Sequence, residues 1–334
     1  MPSEGSARGE ATSSGWVTRV TRPFLFVFVA LIMVTSTTAS AAESSGLIDD
    51  ATLEARYAGT PSQFLMVDGV RLHVRDEGRG PALMLLNGHL GSLHMWEPWI
   101  PELTRHFRVI RLDYPPYGLS GPDPSGVYST ERAVQLVGKL ADQLGLKRFH
   151  IGGTSNGAMV ALFFAIEHPE RVDRLVVSTL PAGRPPARQP SAAMRAAAQQ
   201  LRAQAPYQPR EFWQAFLDDI TANDGVVTPE LVTRYHDLNN REGAKAWVDA
   251  YIQTQYRVWD TLDVPQYYGR LTRPVLLQWG ADGVVLPEAI GGQVAALLKG
   301  APVTLRQYRG AGHLPMIEQP TATVRDAIEF LKAR

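Results

Sequence analysis

Apolar positions along this chain fall into two periods. Residues 63–67 alternate, residues 70–74 follow as a second run, and Asp68-Gly69 between them is a two-residue hairpin signal, so antiparallel strands are expected to open the domain. Short continuous apolar runs at 82–86, 109–112, 174–177 and 275–277 suit strands buried on both faces of a parallel sheet. Between them the spacing changes: Ala133, Leu136, Val137, Leu140 and Leu144 share one helical face, with Glu131 in the first turn and Gly145 just past the end. After Arg270 the alternation returns, with a helix over 294–298, a strand over 303–308 and a last helix over 324–331. Strand and helix in turn predict a doubly wound α/β fold.

Two stretches fall outside this rhythm. Between Pro181 and Arg270 a Pro/Arg-rich entry leads into segments with helical spacing, which predicts an inserted helical cap over 182–270. Its aromatics Phe212, Trp213, Phe216, Trp247, Tyr251, Tyr256 and Trp259 serve either a substrate cavity or the seam by which the insertion packs on the core. At the other end, Arg19 and Arg22 precede the apolar run 23–34, and Ala39-Ser40-Ala41 gives an A-x-A cleavage pattern, the order of a signal peptide over residues 1–42. An uncleaved anchor is the competing reading, because no charge interrupts residues 23–42, about the length a spanning helix needs. Export to the periplasm or medium is the expectation, with no stable membrane insertion after cleavage. Residues 43–61 read as a spacer.

Composition narrows the chemistry. Thirty-three basic residues balance thirty-three acidic ones, so no electrostatic case for nucleic acid arises and a small-molecule substrate is expected. The absence of cysteine removes disulfides, thiolate catalysis and Cys-ligated metals, and the eight histidines form no H-E-x-x-H pair; neither metal nor cofactor is expected. Nothing speaks to oligomeric state.

Two constellations carry chemistry. A strand-like Phe149-His150-Ile151 runs into Gly153-Thr154-Ser155-Asn156-Gly157, and an apolar helical segment follows. This is G-x-S-x-G in the strand-turn-helix setting that exposes a serine on a sharp turn at a helix N-terminus, where unpaired N–H groups favour developing negative charge. Ser155 is the candidate nucleophile. Near the C-terminus the strand at 303–308 is followed by Gly310-Ala311-Gly312-His313, a glycine-rich loop that delivers an imidazole to the strand tips, and His313 is the candidate base.

With these motifs in place, residues 62–334 resemble the capped α/β-hydrolase superfamily, its serine hydrolase branch. Leu86-Asn87-Gly88-His89 with Trp96 resembles its oxyanion loop, Asp113-Tyr114-Pro115-Pro116-Tyr117-Gly118-Leu119-Ser120-Gly121 its D-x-P-G-x-G-x-S segment, and the run from Gly312 to Pro320 its histidine loop. The resemblance implies an eight-stranded, mostly parallel sheet flanked by helices, with core segments at 62–181 and 271–334 on either side of the cap. It further implies an oxyanion hole from the backbone N–H groups of His89 and Asn156. Asn87 stands where the family usually has histidine, and Pro116 where it usually has glycine.

The acid is the weakest match. The family's W-G-x-x-D stretch reads here Trp279-Gly280-Ala281-Asp282-Gly283, so an ungapped match puts Gly283 in the acid position. A turn shorter by one residue makes Asp282 the acid, with Glu288 as the alternative; the loop after the sixth strand, Ser178 to Pro181, offers no carboxylate. A serine nucleophile argues against epoxide opening and halide displacement, for which such folds use aspartate. Acyl transfer to water is the implied reaction: an ester or lactone first, an amide or the C–C bond of a diketone as alternatives. A non-catalytic binding protein of the same fold is the reading from another class, raised by Gly283 and Asn87.

Overall fold

A computed structural model describes residues 46–204 and 206–333; the expected signal peptide lies outside them. Eight strands form one sheet: β1 (Ser62–Val67), β2 (Val70–Gly78), β3 (Ala82–Leu86), β4 (Arg108–Leu112), β5 (Phe149–Thr154), β6 (Val172–Ser178), β7 (Val275–Gly280) and β8 (Val303–Tyr308). Their spatial order is β1-β2-β4-β3-β5-β6-β7-β8. The first hairpin pairs Val67 with Val70, and Asp68 and Gly69 both carry positive φ, as a two-residue turn matched to the strand twist requires. β2 runs antiparallel to β4, and from β4 through β3 to β8 every pairing is parallel.

The helices cover both faces of this sheet. Thr130–Gln143 starts on the Ser129 side chain, which accepts from the Arg132 N–H, and buries Ala133, Leu136, Val137 and Leu140. Asn156–Glu167 is apolar on all sides because it lies in the middle of the molecule, with every residue from Asn156 to Ile166 buried. The segment 182–270 is helical, with helices Ala192–Gln204, Arg210–Ile220, Pro229–Asn239, Ala244–Thr261 and Val264–Tyr268. Of its aromatics, Trp213 and Tyr251 are fully buried, whereas Tyr256 is exposed beneath the Arg184 guanidinium.

The spacer reading changes at residues 50–57. Asp50–Tyr57 is a helix, N-capped by Asp49 through the Thr52 N–H, and its Leu53 is buried with Leu119 and Leu238. Arg241 ties the segment down: its guanidinium pairs with the Asp50 carboxylate and donates to the Ser120 carbonyl.

Candidate active site

Parallel strands that end side by side deliver their following loops to one edge of the sheet. Four such loops meet here. Ser155 follows β5 and sits in a strained backbone, φ 51° and ψ −119°, immediately before its helix. The turn is tight because Gly157 packs under the loop after β3: an added Cβ would lie 2.3 Å from the Asn87 carbonyl oxygen and 2.7 Å from that of Leu86. Gly88 closes on the other side, where an added Cβ would touch the Ser155 Cβ at 3.4 Å. The loop after β3 and the Ser155 turn are therefore in contact at positions that only glycine allows.

His313 arrives from the loop after β8. Its backbone is fixed by an N–H bond to the Ile220 carbonyl (2.8 Å) and by Thr179, beyond β6, whose hydroxyl donates to the His313 carbonyl (3.2 Å). The Ser155 N–H in turn donates to Ser178, next to Thr179, so β6 is the shared anchor of both residues. Among the described residues no direct hydrogen bond joins Ser155 Oγ to the His313 ring; such bonds commonly tighten only when substrate binds. Burial pushes the His313 pKa down to about 4, helped by the nearby charge of Arg188 and by His89, so the imidazole is neutral at pH 7 and able to accept a proton.

Sequence reasoning assigned no role to Glu318, which organises the histidine loop. It is buried; Oε2 accepts from the N–H groups of Gly312 (2.8 Å), Ala222 (2.7 Å) and Asn223 (3.3 Å), and Oε1 from Leu314 (3.0 Å). One carboxylate thus ties both neighbours of His313 to the end of cap helix Arg210–Ile220. A charged residue following the apolar run Leu314-Pro315-Met316-Ile317 was the available signal.

The loop after β3 carries a second imidazole. His89 Nδ1 pairs with the Tyr117 hydroxyl at 2.8 Å, and desolvation lowers its pKa to about 4. The Asn156 side chain forms a reciprocal pair with Gln255 of helix Ala244–Thr261, at 3.1 and 2.9 Å, which links the cap to the residue after the nucleophile. Asn87 donates to the carbonyls of Gly88 (3.0 Å) and Gly91 (3.2 Å), bracing the loop where the family's histidine would stand. Arg188 is committed to the Asp219 carboxylate at 2.5 Å.

Asp282 does not reach His313. Its N–H donates to Ala311 (3.0 Å) and its carboxylate, exposed to solvent, accepts from the Gly310 N–H (2.5 Å), so the turn after β7 is spent on holding the base of the histidine loop. Glu288 is exposed in the first turn of helix Glu288–Leu297. His313 Nδ1 is buried with no hydrogen-bond partner among the described residues.

Ser155 on a strained strand-helix corner, the buried His313 imidazole and the loop after β3 packed against the serine together form the candidate site. The comparison with known families agrees: residues 81–320 match the model of the α/β-hydrolase fold, and the chain belongs to that family. It is 25% identical over 287 residues, 81% of this chain and 96% of the relative, to a 2-hydroxy-6-oxo-2,4-heptadienoate hydrolase of Pseudomonas putida. Among solved structures it is similar to a bacterial membrane phospholipase A (TM-score 0.67, 25% identity, 84% of this chain and 91% of that one). It also shares its fold with the enol-lactonase of Burkholderia xenovorans (TM-score 0.65, 23% identity, 81% and 100% covered). The protein is a hydrolase.

Proposed function

We propose that this chain is an exported serine hydrolase that cleaves a carboxylic ester or lactone of a small, apolar molecule through an acyl-enzyme on Ser155. The observation that carries the reading is the strained Ser155 turn with the oxyanion loop packed against it. Strain of this kind, about 1–3 kcal/mol, persists only where the surroundings enforce it, and it clusters at reacting residues. In this scheme His313 takes the Ser155 proton as Oγ attacks the acyl carbon, and the N–H groups of His89 and Asn156 hold the developing oxyanion. Water then releases the acid by the same route. Burial lowers the pKa of both His89 and His313, and this desolvation favours an apolar substrate.

A second reading, C–C bond hydrolysis on the same residues, is favoured by the similarity to the heptadienoate hydrolase over nearly all of that relative's length. A screen over p-nitrophenyl esters of graded acyl length, lactones and vinylogous diketones separates the two. Turnover confined to the diketones sinks the ester reading, and no turnover with no labelling of Ser155 by a fluorophosphonate favours a binding protein. Export rests on the order of charges, apolar run and A-x-A in residues 1–42. N-terminal sequencing is expected to find the mature chain beginning near Ala42 or Glu43; a chain still starting at Met1 and sedimenting with membranes supports an anchor.

A further inference from the structure

We propose that Ser155 and His313 work as a pair with no carboxylate on the histidine, because Gly283 holds the place on the loop after β7 from which such a group would reach it. This rests on the Ser155–His313 reading above. Among the described residues no acidic side chain is hydrogen-bonded to the His313 ring, whose Nδ1 is buried without a partner. Asp282 caps the Gly310 N–H, Glu318 is used by four backbone N–H groups, Asp219 holds Arg188 and the Ser191 N–H, and Glu288 faces solvent. Gly283, by contrast, is buried beside the histidine loop. A Cβ added there would touch the Gly312 carbonyl carbon at 3.4 Å, an ordinary contact one peptide from His313. At Gly280 the same addition would fall 1.9 Å from the Gly312 oxygen. A Cβ at position 283 would also lie 3.4 Å from the Gly280 oxygen and 3.5 Å from that of Leu286, so the position lies against the histidine loop and admits a Cβ at contact distance, yet carries no side chain.

The chemistry follows from the missing charge. A carboxylate on Nδ1 fixes the tautomer and stabilises the imidazolium formed as serine attacks. Here that imidazolium forms on a buried ring near the Arg188 guanidinium, which opposes its charge. Taking the Ser155 proton is then the costly event, so the pair is suited to acyl carbons made electrophilic by an acidic leaving group, which Oγ attacks with the least charge built up on the ring. Ser155 Oγ bonds to the acyl carbon, its proton passes to the imidazole, and the C–O bond breaks with its electron pair on the leaving oxygen. An enolate or phenolate departs as the anion, and the imidazolium returns its proton to solvent. The substrate class is accordingly an enol or aryl ester, or an enol lactone, rather than an ester of a simple alkanol.

The test compares the full-length wild type with Asp282→Asn, Gly283→Asp and Gly283→Ala. Two rates are followed: fluorophosphonate labelling of Ser155, and kcat/KM over acetate esters from acidic phenols to alkanols. Asp282→Asn, whose amide oxygen still accepts from the Gly310 N–H and so keeps the base of the histidine loop, is expected to stay within about threefold of wild type in both. Wild-type kcat/KM should fall steeply as the leaving group becomes less acidic, and Gly283→Asp should raise the slowest esters about tenfold or more, flattening the series, while Gly283→Ala does not. A loss of about a thousandfold in Asp282→Asn, or a folded Gly283→Asp that gains nothing, overturns the proposal. A low-field imidazole Nδ1 proton in the NMR spectrum of the acidified wild type also overturns it, and its absence there upholds it even where Gly283→Asp does not fold. Failure of Ser155 to label in the wild type refutes the hydrolase reading instead; the spectrum still decides whether His313 has a carboxylate.

Discussion

Removing the Glu318 carboxylate should damage both the fold and the chemistry, through the same four bonds. Two of its donors, Ala222 and Asn223, are exposed and find water in its absence; the other two, on Gly312 and Leu314, are buried. An unsatisfied buried N–H costs about 1–3 kcal/mol, so Glu318→Ala should lose about 3 kcal/mol in all, with water recovering part of the worst case. For a domain of this size that lowers Tm by roughly 5–10 °C. Because Gly312 and Leu314 flank His313, the imidazole also shifts, and a displacement of about 1 Å costs on the order of 10² in kcat with little change in KM. Calorimetry and steady-state kinetics on the best ester are the assays. Glu318→Gln keeps one acceptor oxygen and should fall between the two. A Glu318→Ala protein with wild-type Tm and kcat would refute the claim that this side chain holds the base.

Two further perturbations follow from packing and protonation. Gly157→Ala, whose Cβ would meet two backbone carbonyls at 2.3 and 2.7 Å, should lose about 2 kcal/mol in urea unfolding; Gly292→Ala, exposed in a helix with open space around it, should gain about 0.5 kcal/mol. His89 and His313 titrate near 4 when folded and near 6.5 when unfolded, so between these values the unfolded chain binds more protons. Stability is then fully present above about pH 6.5 and falls as pH drops toward 4, by up to about 3 kcal/mol for His313. His313→Gln should flatten the acid side of a stability-against-pH curve.

The sheet was legible because its signals are local. Period-two alternation, short apolar runs and Asp68-Gly69 sit in contiguous sequence, and the strands at Ala82–Leu86 and Val303–Tyr308 begin and end where the pattern does. The serine corner was legible for the same reason, since glycines and flanks come in one stretch. What sequence could not carry was distance in space. Whether Asp282 or its neighbour faces the histidine depends on a bond between its N–H and Ala311, twenty-nine positions on, which turns its carboxylate outward. Glu318 was in view within the histidine loop, but two of its four donors belong to the cap. The helix at Asp50–Tyr57 was missed because Leu53 is its only buried residue, too little for a periodic signal, and its docking depends on Arg241 from the far side of the cap.

On the proposed mechanism Ser155 becomes covalently acylated during turnover. Intact-mass spectrometry of the enzyme quenched during hydrolysis of a p-nitrophenyl ester tests it, with peptide mapping to locate the adduct and Ser155→Ala alongside. One acyl group per chain, mapped to Ser155, is expected, with a Ser155→Ala protein that is folded, unmodified and slower by several orders of magnitude. An adduct on another residue, or a Ser155→Ala protein that hydrolyses the ester at the wild-type rate, would contradict it.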